Sequence, residues 1–438
     1  MGFEDFFAEK GARLWQTLDL HTGTLYWGLR ATEQQRIDPA LINATIGNAT
    51  EKGKLMVLST LVECFKSLSP DRLFKYANVR GIGNFGKMWK EDTLAMYRNA
   101  DLIERAKEYT SIPVPVAGGL TGALFTAGFT FFSPNDSVIL APKERWGNID
   151  NIYTKHLGIE IRSFDQFDSS GNLNVEGLKH QWQDLEDSSR NIQKIGLYFN
   201  FPNNPTGYMP SEKEIKEFVN FLKDVGTKTV IIFDDAYEGF NYRFEGVTEE
   251  DQPIQHSVFP YFVNISENVV PVKIDGASKR YFSYGARLGC ISVGYNNESK
   301  DFDFKECFAK MVRSFTSSAP LGMQEAIITV LSSPEKTAAI RNEKNEKMAI
   351  LEERFRLMKN GMGVLEDHAV FEPVNFNSGF FGYLKVKDGY KAREIAENLL
   401  TKGLGVVAFE RVNGIRIAFC SVEKELIPRV ITTLQEVS

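Results

Sequence analysis

The sequence predicts an α/β fold, with a doubly wound and mostly parallel sheet in a large domain and a smaller α+β domain after it. Three observations carry this expectation. From about Thr60 to Ser318, short apolar runs alternate with charged stretches of helical length, as in a parallel sheet covered by helices on both faces. From Glu335 to Met362 the chain is rich in Glu, Lys, Arg, Met and Leu, with neither Gly nor Pro until Gly361, and reads as one long helix leaving that sheet. Beyond it, Gly379 to Val386 and Gly414 to Phe419 read as strands of a second unit. The expected division is 1–59 as an amino-terminal segment, 60–318 as the large domain, and 319–438 as the long helix with the small domain.

Taken in order, the first informative stretch is Ser111 to Asn135, which has no charged residue and is long enough for a membrane span. Gly118, Gly119, Gly122 and Gly128, with Pro113 and Pro115, favour a glycine-rich loop opening a buried helix, whose first N–H groups form an anion cradle. Ile195 to Phe199 is an apolar strand that stops in Asn200-Phe201-Pro202-Asn203-Asn204-Pro205-Thr206-Gly207, where Pro205 fixes its own φ and restricts Asn204. Thr229 to Phe233 reads as a strand buried on both faces, and ligands of parallel sheets collect at the carboxyl ends of such strands. Asp234 and Tyr237 fall there. Val269 to Ile274 reads as another strand, with Pro271 arguing for an edge position or a shorter run, and it delivers Lys279. Asn241 to Asn268, containing Glu249-Glu250-Asp251, reads as a solvated insertion near the site mouth; a lid and a surface loop without function both stay open.

Bulk properties are those of an ordinary globular protein. The 438 residues are 43% hydrophobic and 25% charged, with a formal charge of -6, which gives no general attraction to nucleic acid or acidic membranes. Cys64, Cys290, Cys307 and Cys420 are far apart with no C-x-x-C spacing, so neither a zinc site nor a disulfide framework is expected, and the five histidines do not fall at metal-ligand spacing. Glu4, Asp5, Glu9 and Lys10 stand where a signal peptide needs an apolar core, so a cytoplasmic location is expected. Gly81 to Gly86 matches G-x-G-x-x-G by letter, but no buried strand precedes it, so a dinucleotide site is not expected.

A carboxylate, a phenol, a lysine and an arginine placed after apolar runs look like handles for one anionic aromatic cofactor. Lysine held away from bulk water can lose its proton and attack a carbonyl, and Arg287 can grip a phosphate with two parallel hydrogen bonds. Arg416 interrupts the apolar strand Gly414 to Phe419, where an unpaired charge is costly; it requires either an anionic ligand or an internal carboxylate. Each residue also has an ordinary reading: a lone lysine after a strand is usually a surface residue, Trp146 can be simple core, and Asp234 or Asp235 can be a turn former.

Asn204-Pro205-Thr206-Gly207, then Asp234-Asp235-Ala236-Tyr237, then Ser278-Lys279 and Arg287 eight residues on, together resemble the class I/II aminotransferases, the aspartate-aminotransferase-like branch of fold-type I pyridoxal-phosphate (PLP) enzymes. The resemblance runs from about Gly47 to Arg416. It implies that Lys279 carries pyridoxal 5'-phosphate as a Schiff base, Asp234 pairs with the pyridine nitrogen, and Tyr237 and Asn204 hydrogen-bond the phenolic oxygen. It further implies that Arg287 and the loop Gly119-Leu120-Thr121 bind the phosphate, with Ser278 either supplying a further donor or leaving the phosphate one donor short, that Trp146 stacks on the ring, and that Tyr76 reaches the phosphate of the opposite subunit. Gly47, Asn204 and Arg416 are implied to hold the substrate, with Arg416 forking onto its α-carboxylate. Arg313 resembles the arginine lent across a homodimer to a side-chain carboxylate, which implies aspartate, glutamate or an aromatic amino acid as donor and a 2-oxo acid as acceptor in ping-pong exchange. The amino-terminal segment is implied to join the small domain. One departure stands out: Gly276 occupies the position where the family commonly has a phosphate-binding hydroxyl. A lyase or decarboxylase on the same fold, or a ligand-sensing module without catalysis, would keep the same cofactor residues.

Overall fold

The computed structural model of the chain describes all residues except Met1, Gly2 and Ser189. Its largest sheet contains β1 (Val114–Ala117), β2 (Ser137–Pro142), β3 (Glu160–Phe164), β4 (Lys194–Asn200), β5 (Lys228–Asp234), β6 (Val269–Gly276) and β7 (Leu288–Val293), in the spatial order β1-β7-β6-β5-β4-β2-β3. β7 runs antiparallel to both of its neighbours, and the remaining pairs are parallel. Alternation along the strands supplies two faces. Leu140, Leu197, Phe199, Ile231 and Phe233 pack toward helices Val175–Glu186 and Glu212–Lys223, whereas Ile139, Tyr198, Val230, Ile232 and Ile274 pack toward helix Gly119–Phe131. This is the doubly wound, mostly parallel sheet that the alternating pattern predicts. The stretch from Ser111 to Asn135 folds as β1 and the helix after the glycine loop, and among the described residues no helix is long and apolar enough to cross a membrane.

Pro271 is a correction. Its strand lies in the middle of the sheet, between β5 and β7, not at an edge. The β6–β7 ladder ends at Val272 opposite Val293, and the Gly294 N–H donates to the Pro271 carbonyl at 2.8 Å. The N–H and C=O of one strand residue point to the same side, so the missing donor of Pro271 faces a place where the neighbouring strand has already finished.

The insertion also differs from expectation. Glu245 to Asp251 is exposed, but Gln252 to Ile254 and His256 to Val263 are buried, because Val258, Phe259, Phe262 and Val263 join Phe218 and Phe233 in one apolar cluster. Gly81 to Gly86 leads into helix Phe85–Leu94 without a preceding strand, and Gly86 lies so close to the Pro113 carbonyl that a Cβ there would approach it to 2.5 Å.

The long helix spans Pro334–Met362, with Ser333 capping its first turn and Pro334 at the position that tolerates a missing N–H. It ends beside a second sheet of β8 (Phe371–Pro373), β9 (Phe381–Val386), β10 (Val407–Phe409) and β11 (Gly414–Ala418), antiparallel throughout in the order β8-β9-β11-β10. The amino-terminal segment packs there: Ile42–Asn43 pairs in parallel with Leu404–Gly405, and Trp27 enters the same core as Ile415 and Ile417.

Candidate active site

Parallel register brings the chemistry together. Asn200 ends β4 directly opposite Asp234 at the end of β5, and Asp234 in turn lies opposite Ile274 on β6. The Asp234 carboxylate is 3% exposed and accepts from the Tyr198 hydroxyl at 2.9 Å and from the Ala236 N–H at 3.2 Å. Burial pushes its carboxyl up to about 6, against the opposing pull of the Tyr198 hydrogen bond and the Lys279 charge. Asn200 fixes the neighbouring turn: its Nδ2 donates to the Asp234 carbonyl at 2.7 Å, and its Oδ1 accepts from the Asn204 N–H at 2.7 Å.

Lys279 rides on the single helical turn Ala277–Arg280 that follows β6. Its amine stands 5.3 Å from the centre of the Tyr237 ring and has no hydrogen-bond or ion-pair partner among the described residues. Loss of solvation lowers its pKa, with the Asp234 charge opposing and Arg287 assisting. Tyr237 is itself buried against Phe380 and Phe381, with ring centres at 5.3 and 5.4 Å, and burial raises its phenol. Gly47 closes this side; a Cβ there would sit 3.3 Å from Phe381 and 4.0 Å from the Tyr237 oxygen.

The glycine loop forms a cradle on the other side of Lys279. Gly118 and Gly119 take φ of +85° and +67°, which only glycine adopts freely, and the start of helix Gly119–Phe131 leaves the N–H groups of Leu120 and Thr121 without intrahelical acceptors. Arg287 is built onto this loop. Its Nη2 donates to the Gly118 carbonyl at 2.7 Å, its own carbonyl accepts from Gly119 at 2.8 Å, and a Cβ on Gly119 would come within 3.1 Å of the guanidinium. The Ser278 hydroxyl is buried beside Lys279 with no partner, the kind of orphaned donor that a bound oxyanion satisfies. Gly276 has a packing reason: it pairs with Gly289, and a Cβ on it would meet the Leu288 carbonyl at 2.7 Å and Leu120 at 2.9 Å. A hydroxyl residue there would push the cradle off the sheet. Trp146 follows β2 and lies half-buried against the apolar cluster of Ile149 and Tyr153.

Arg416 sits on β11 between Tyr383 and Val407 and is 1% exposed. Its Nη1 donates to the Asn204 Oδ1 at 3.0 Å and its Nη2 to the Thr45 carbonyl at 2.6 Å, while Nε has no partner. The guanidinium lies 4.3 Å from the Phe381 ring centre, and burial lowers its pKa to about 10. Of the two partners its position requires, an internal carboxylate is absent among the described residues, which leaves an anionic ligand. Because Asn204 uses its carbonyl oxygen on Arg416, its amide nitrogen remains free to donate.

Thus Asp234, Tyr237, Lys279, Ser278, Arg287, Gly119, Leu120, Thr121, Asn204, Gly47 and Arg416 converge within one chain. Trp146 packs on the apolar cluster that also holds Leu120, and two residues do not join the group. Tyr76 is 92% exposed, and Arg313 is exposed at the end of helix Phe304–Phe315, bonded to the Ser317 hydroxyl at 2.6 Å. Sequence reasoning missed Tyr198, Asn200, Thr45 and Phe381. A polar residue inside the apolar run of β4 was the available signal for Tyr198; nothing local marks Thr45 or Phe381.

The fold agrees with that of known proteins. A family model described as Aminotransferase class I and II matches residues 69–434. The mitochondrial aspartate aminotransferase of Xenopus tropicalis is 25% identical over 290 residues, covering 65% of this chain and 62% of that protein. The mitochondrial aspartate aminotransferase of Schizosaccharomyces pombe is 22% identical over 363 residues, covering 81% and 76%. Among solved structures, an aminotransferase from Anaerococcus prevotii superposes with a TM-score of 0.83 at 23% identity over 98% of each chain. The aspartate aminotransferase of Thermus thermophilus with maleate gives 0.72 at 18% identity over 97% of this chain and 98% of that one. The chain belongs to the aminotransferase class I and II family, the pyridoxal-phosphate enzymes of fold type I.

Proposed function

We propose that the chain moves an amino group from an L-amino acid to a 2-oxo acid, with Lys279 as the residue that holds pyridoxal 5'-phosphate and shuttles the substrate's α-proton. The observation that carries this is the Lys279 amine itself: desolvated, without a partner, and inside the field of the buried Asp234 carboxylate. When bound, the cofactor supplies an electron-accepting ring joined to the α-carbon of the substrate.

Everything else is done by side chains. Asp234 would hold a proton on the ring nitrogen, and its hydrogen bond from Tyr198 holds the carboxylate in place. Tyr237 and the free amide of Asn204 donate to the phenolic oxygen. Ser278, Arg287, Gly119 and the N–H groups of Leu120 and Thr121 take the phosphate, and Trp146 covers the ring. Arg416 binds the α-carboxylate in a pocket with Gly47 and Asn204, where low polarity strengthens the charge-assisted bonds. Lys279, released by the incoming amine, would take the proton at the α-carbon and give it to the cofactor carbon beyond the substrate nitrogen, a general-base role that rests on its lowered pKa.

The donor we favour is aspartate, glutamate or an aromatic amino acid, of which aspartate is the one in the names of the relatives. In this reading a second copy of the chain lends Tyr76 and Arg313, which explains why both stand exposed in one copy. A cytoplasmic location fits relatives such as the cytoplasmic aspartate aminotransferase of Dictyostelium discoideum, although others are mitochondrial. The test is an amino-transfer assay with a panel of amino acids and 2-oxo acids, scored for the new amino acid and for ammonia and carbon dioxide. Stoichiometric transfer supports the reading; ammonia or carbon dioxide without an acceptor replaces it with a lyase or decarboxylase.

A further inference from the structure

Behind the site lies a second set of charges that the proposed reaction does not use. Asp235 points away from Asp234 and accepts from Lys273 Nζ and from the Ser257 hydroxyl at 2.7 Å. Lys273 also donates to Glu238 at 2.9 Å and stands 3.9 Å from Asp275. Asp275 accepts from the Trp89 indole, 3.1 Å from each oxygen, and lies 3.7 Å from Arg280. Arg280 donates to Asp92 at 2.5 Å and to the Thr93 hydroxyl at 2.7 Å. Asp235, Glu238, Lys273, Asp275 and Arg280 are all buried.

The path of this chain of charges matters. It runs from Asp235, the neighbour of Asp234 in sequence, through ion pairs at 3.9 and 3.7 Å to Arg280, the neighbour of Lys279, and on to Asp92, so both reacting turns are tied from the rear to one set of charges. Taking such charges out of water is expensive, and apolar residues of similar volume often serve stability equally well. A purely structural role therefore explains the burial poorly, whereas a fixed separation between two turns is what directional charged bonds can supply.

We propose that Lys273 is a positioning residue for amino transfer: by bonding Asp235 and Glu238 while lying beside Asp275 on its own strand, it fixes the Asp234–Tyr237 turn relative to the Lys279 turn. This rests on the reading of Lys279 and Asp234 given above. Lys273 touches neither substrate nor cofactor and acts only through these neighbours.

The experiment compares the pyridoxal-phosphate-loaded protein with K273M and with D235N/E238Q/K273M, which removes Lys273 together with the two carboxylates it bonds and leaves Asp275 to Arg280 and the Trp89 indole. Each is read by thermal melting, by the circular dichroism induced in the cofactor's visible band, and by kcat and KM separately. A misplacement of the reacting groups by about 1 Å costs up to about 100-fold in rate. The expected result is a folded triple variant whose kcat falls by about 10- to 100-fold, with KM changed less than about threefold and the induced dichroism at least halved. A folded variant with unchanged dichroism and kcat overturns the proposal, and so does failure of both variants to fold, which assigns the network to stability alone. If the unmodified protein shows no induced band, the reading of Lys279 fails first; a normal band with indifferent variants defeats only the positioning role of Lys273.

Discussion

The two faces of the Asp234 turn carry similar residue types with opposite solutions. In front, Lys279 and Arg416 are buried or half-buried cations without a carboxylate bonded to either, and Ser278 holds an unsatisfied hydroxyl. Behind, Lys273 is bonded to Asp235 and Glu238, and Arg280 to Asp92. Buried charge is tolerated only when it is paired. The front face is therefore incomplete without an anionic ligand, while the rear cations find carboxylates within the chain, with only single atoms such as Glu238 Oε1 and Arg280 Nε left without a hydrogen bond. Unpaired groups mark where chemistry enters, and paired ones mark what holds the first set still.

Breaking the front face should cost most. Lys279→Ala should abolish the cofactor's visible band and lower turnover by at least about 10^4-fold, the upper range of a lost general base; retained activity in a steady-state assay would remove Lys279 from the mechanism. Asp234→Ala should come next, because a charge pair in a partly polar site is on the order of 4 kcal/mol, or about three decades in rate. A loss below about tenfold would dismiss Asp234 as the partner of the ring nitrogen.

The same carboxylate gives a stability prediction for the cofactor-free protein. Its pKa is raised to about 6, so between the ordinary carboxylate value and pH 6 the folded state holds a proton that the unfolded chain has released. Stability therefore falls as pH rises through that window, and the full penalty, about 3 kcal/mol, is present above it. Between pH 4.5 and 7.5, urea unfolding should show a loss about 2 kcal/mol larger in the native sequence than in Asp234→Asn, because part of the penalty is already present at pH 4.5 and the buried Asp235 and Asp275 carboxyls, also raised, contribute to both. Equal pH dependence in both would mean that Asp234 is not strained in the empty site.

Smaller effects sharpen the picture. Arg416→Lys keeps the charge but loses the fork, and should raise KM for the amino acid by about 10- to 100-fold, as expected for a charged hydrogen bond of about 1.5–3 kcal/mol. Arg313→Ala should change least, raising KM for dicarboxylates by about fivefold and leaving alanine or phenylalanine unaffected, since an exposed pair contributes about 1 kcal/mol or less. Equal effects on all donors would strip Arg313 of a specificity role.

Much of the front face was readable because short sequence intervals encode it. A buried parallel strand places whatever follows it at the carboxyl edge of the sheet, so Asp234, Tyr237 and Lys279 could be located from their strands alone, and Asn204 from its turn. The rear face was not readable. Lys273 sits in an apolar strand where its partners Asp235 and Glu238 come from a turn 38 and 35 residues earlier, and Ser257, which bonds Asp235, comes from a buried segment taken for a solvated loop. Thr45 and Phe381 approach Arg416 from two distant parts of the chain, and no local pattern encodes such a meeting. Pro271 misled for a related reason: its cost depends on where the neighbouring strand ends, which is a tertiary fact. Gly276, read as a missing phosphate ligand, proved to be a contact position between the cradle and the sheet.

The central claim is that the unpaired front-face groups complete themselves around pyridoxal phosphate and an amino acid. The most direct test is to load the purified protein with the cofactor, add single amino acids with no acceptor, and follow the visible absorbance together with released 2-oxo acid. The account predicts that at least one amino acid bleaches the band and yields one equivalent of its 2-oxo acid per site, and that Lys279→Ala shows neither change. A band that no amino acid alters, or an identical response from Lys279→Ala, would contradict it.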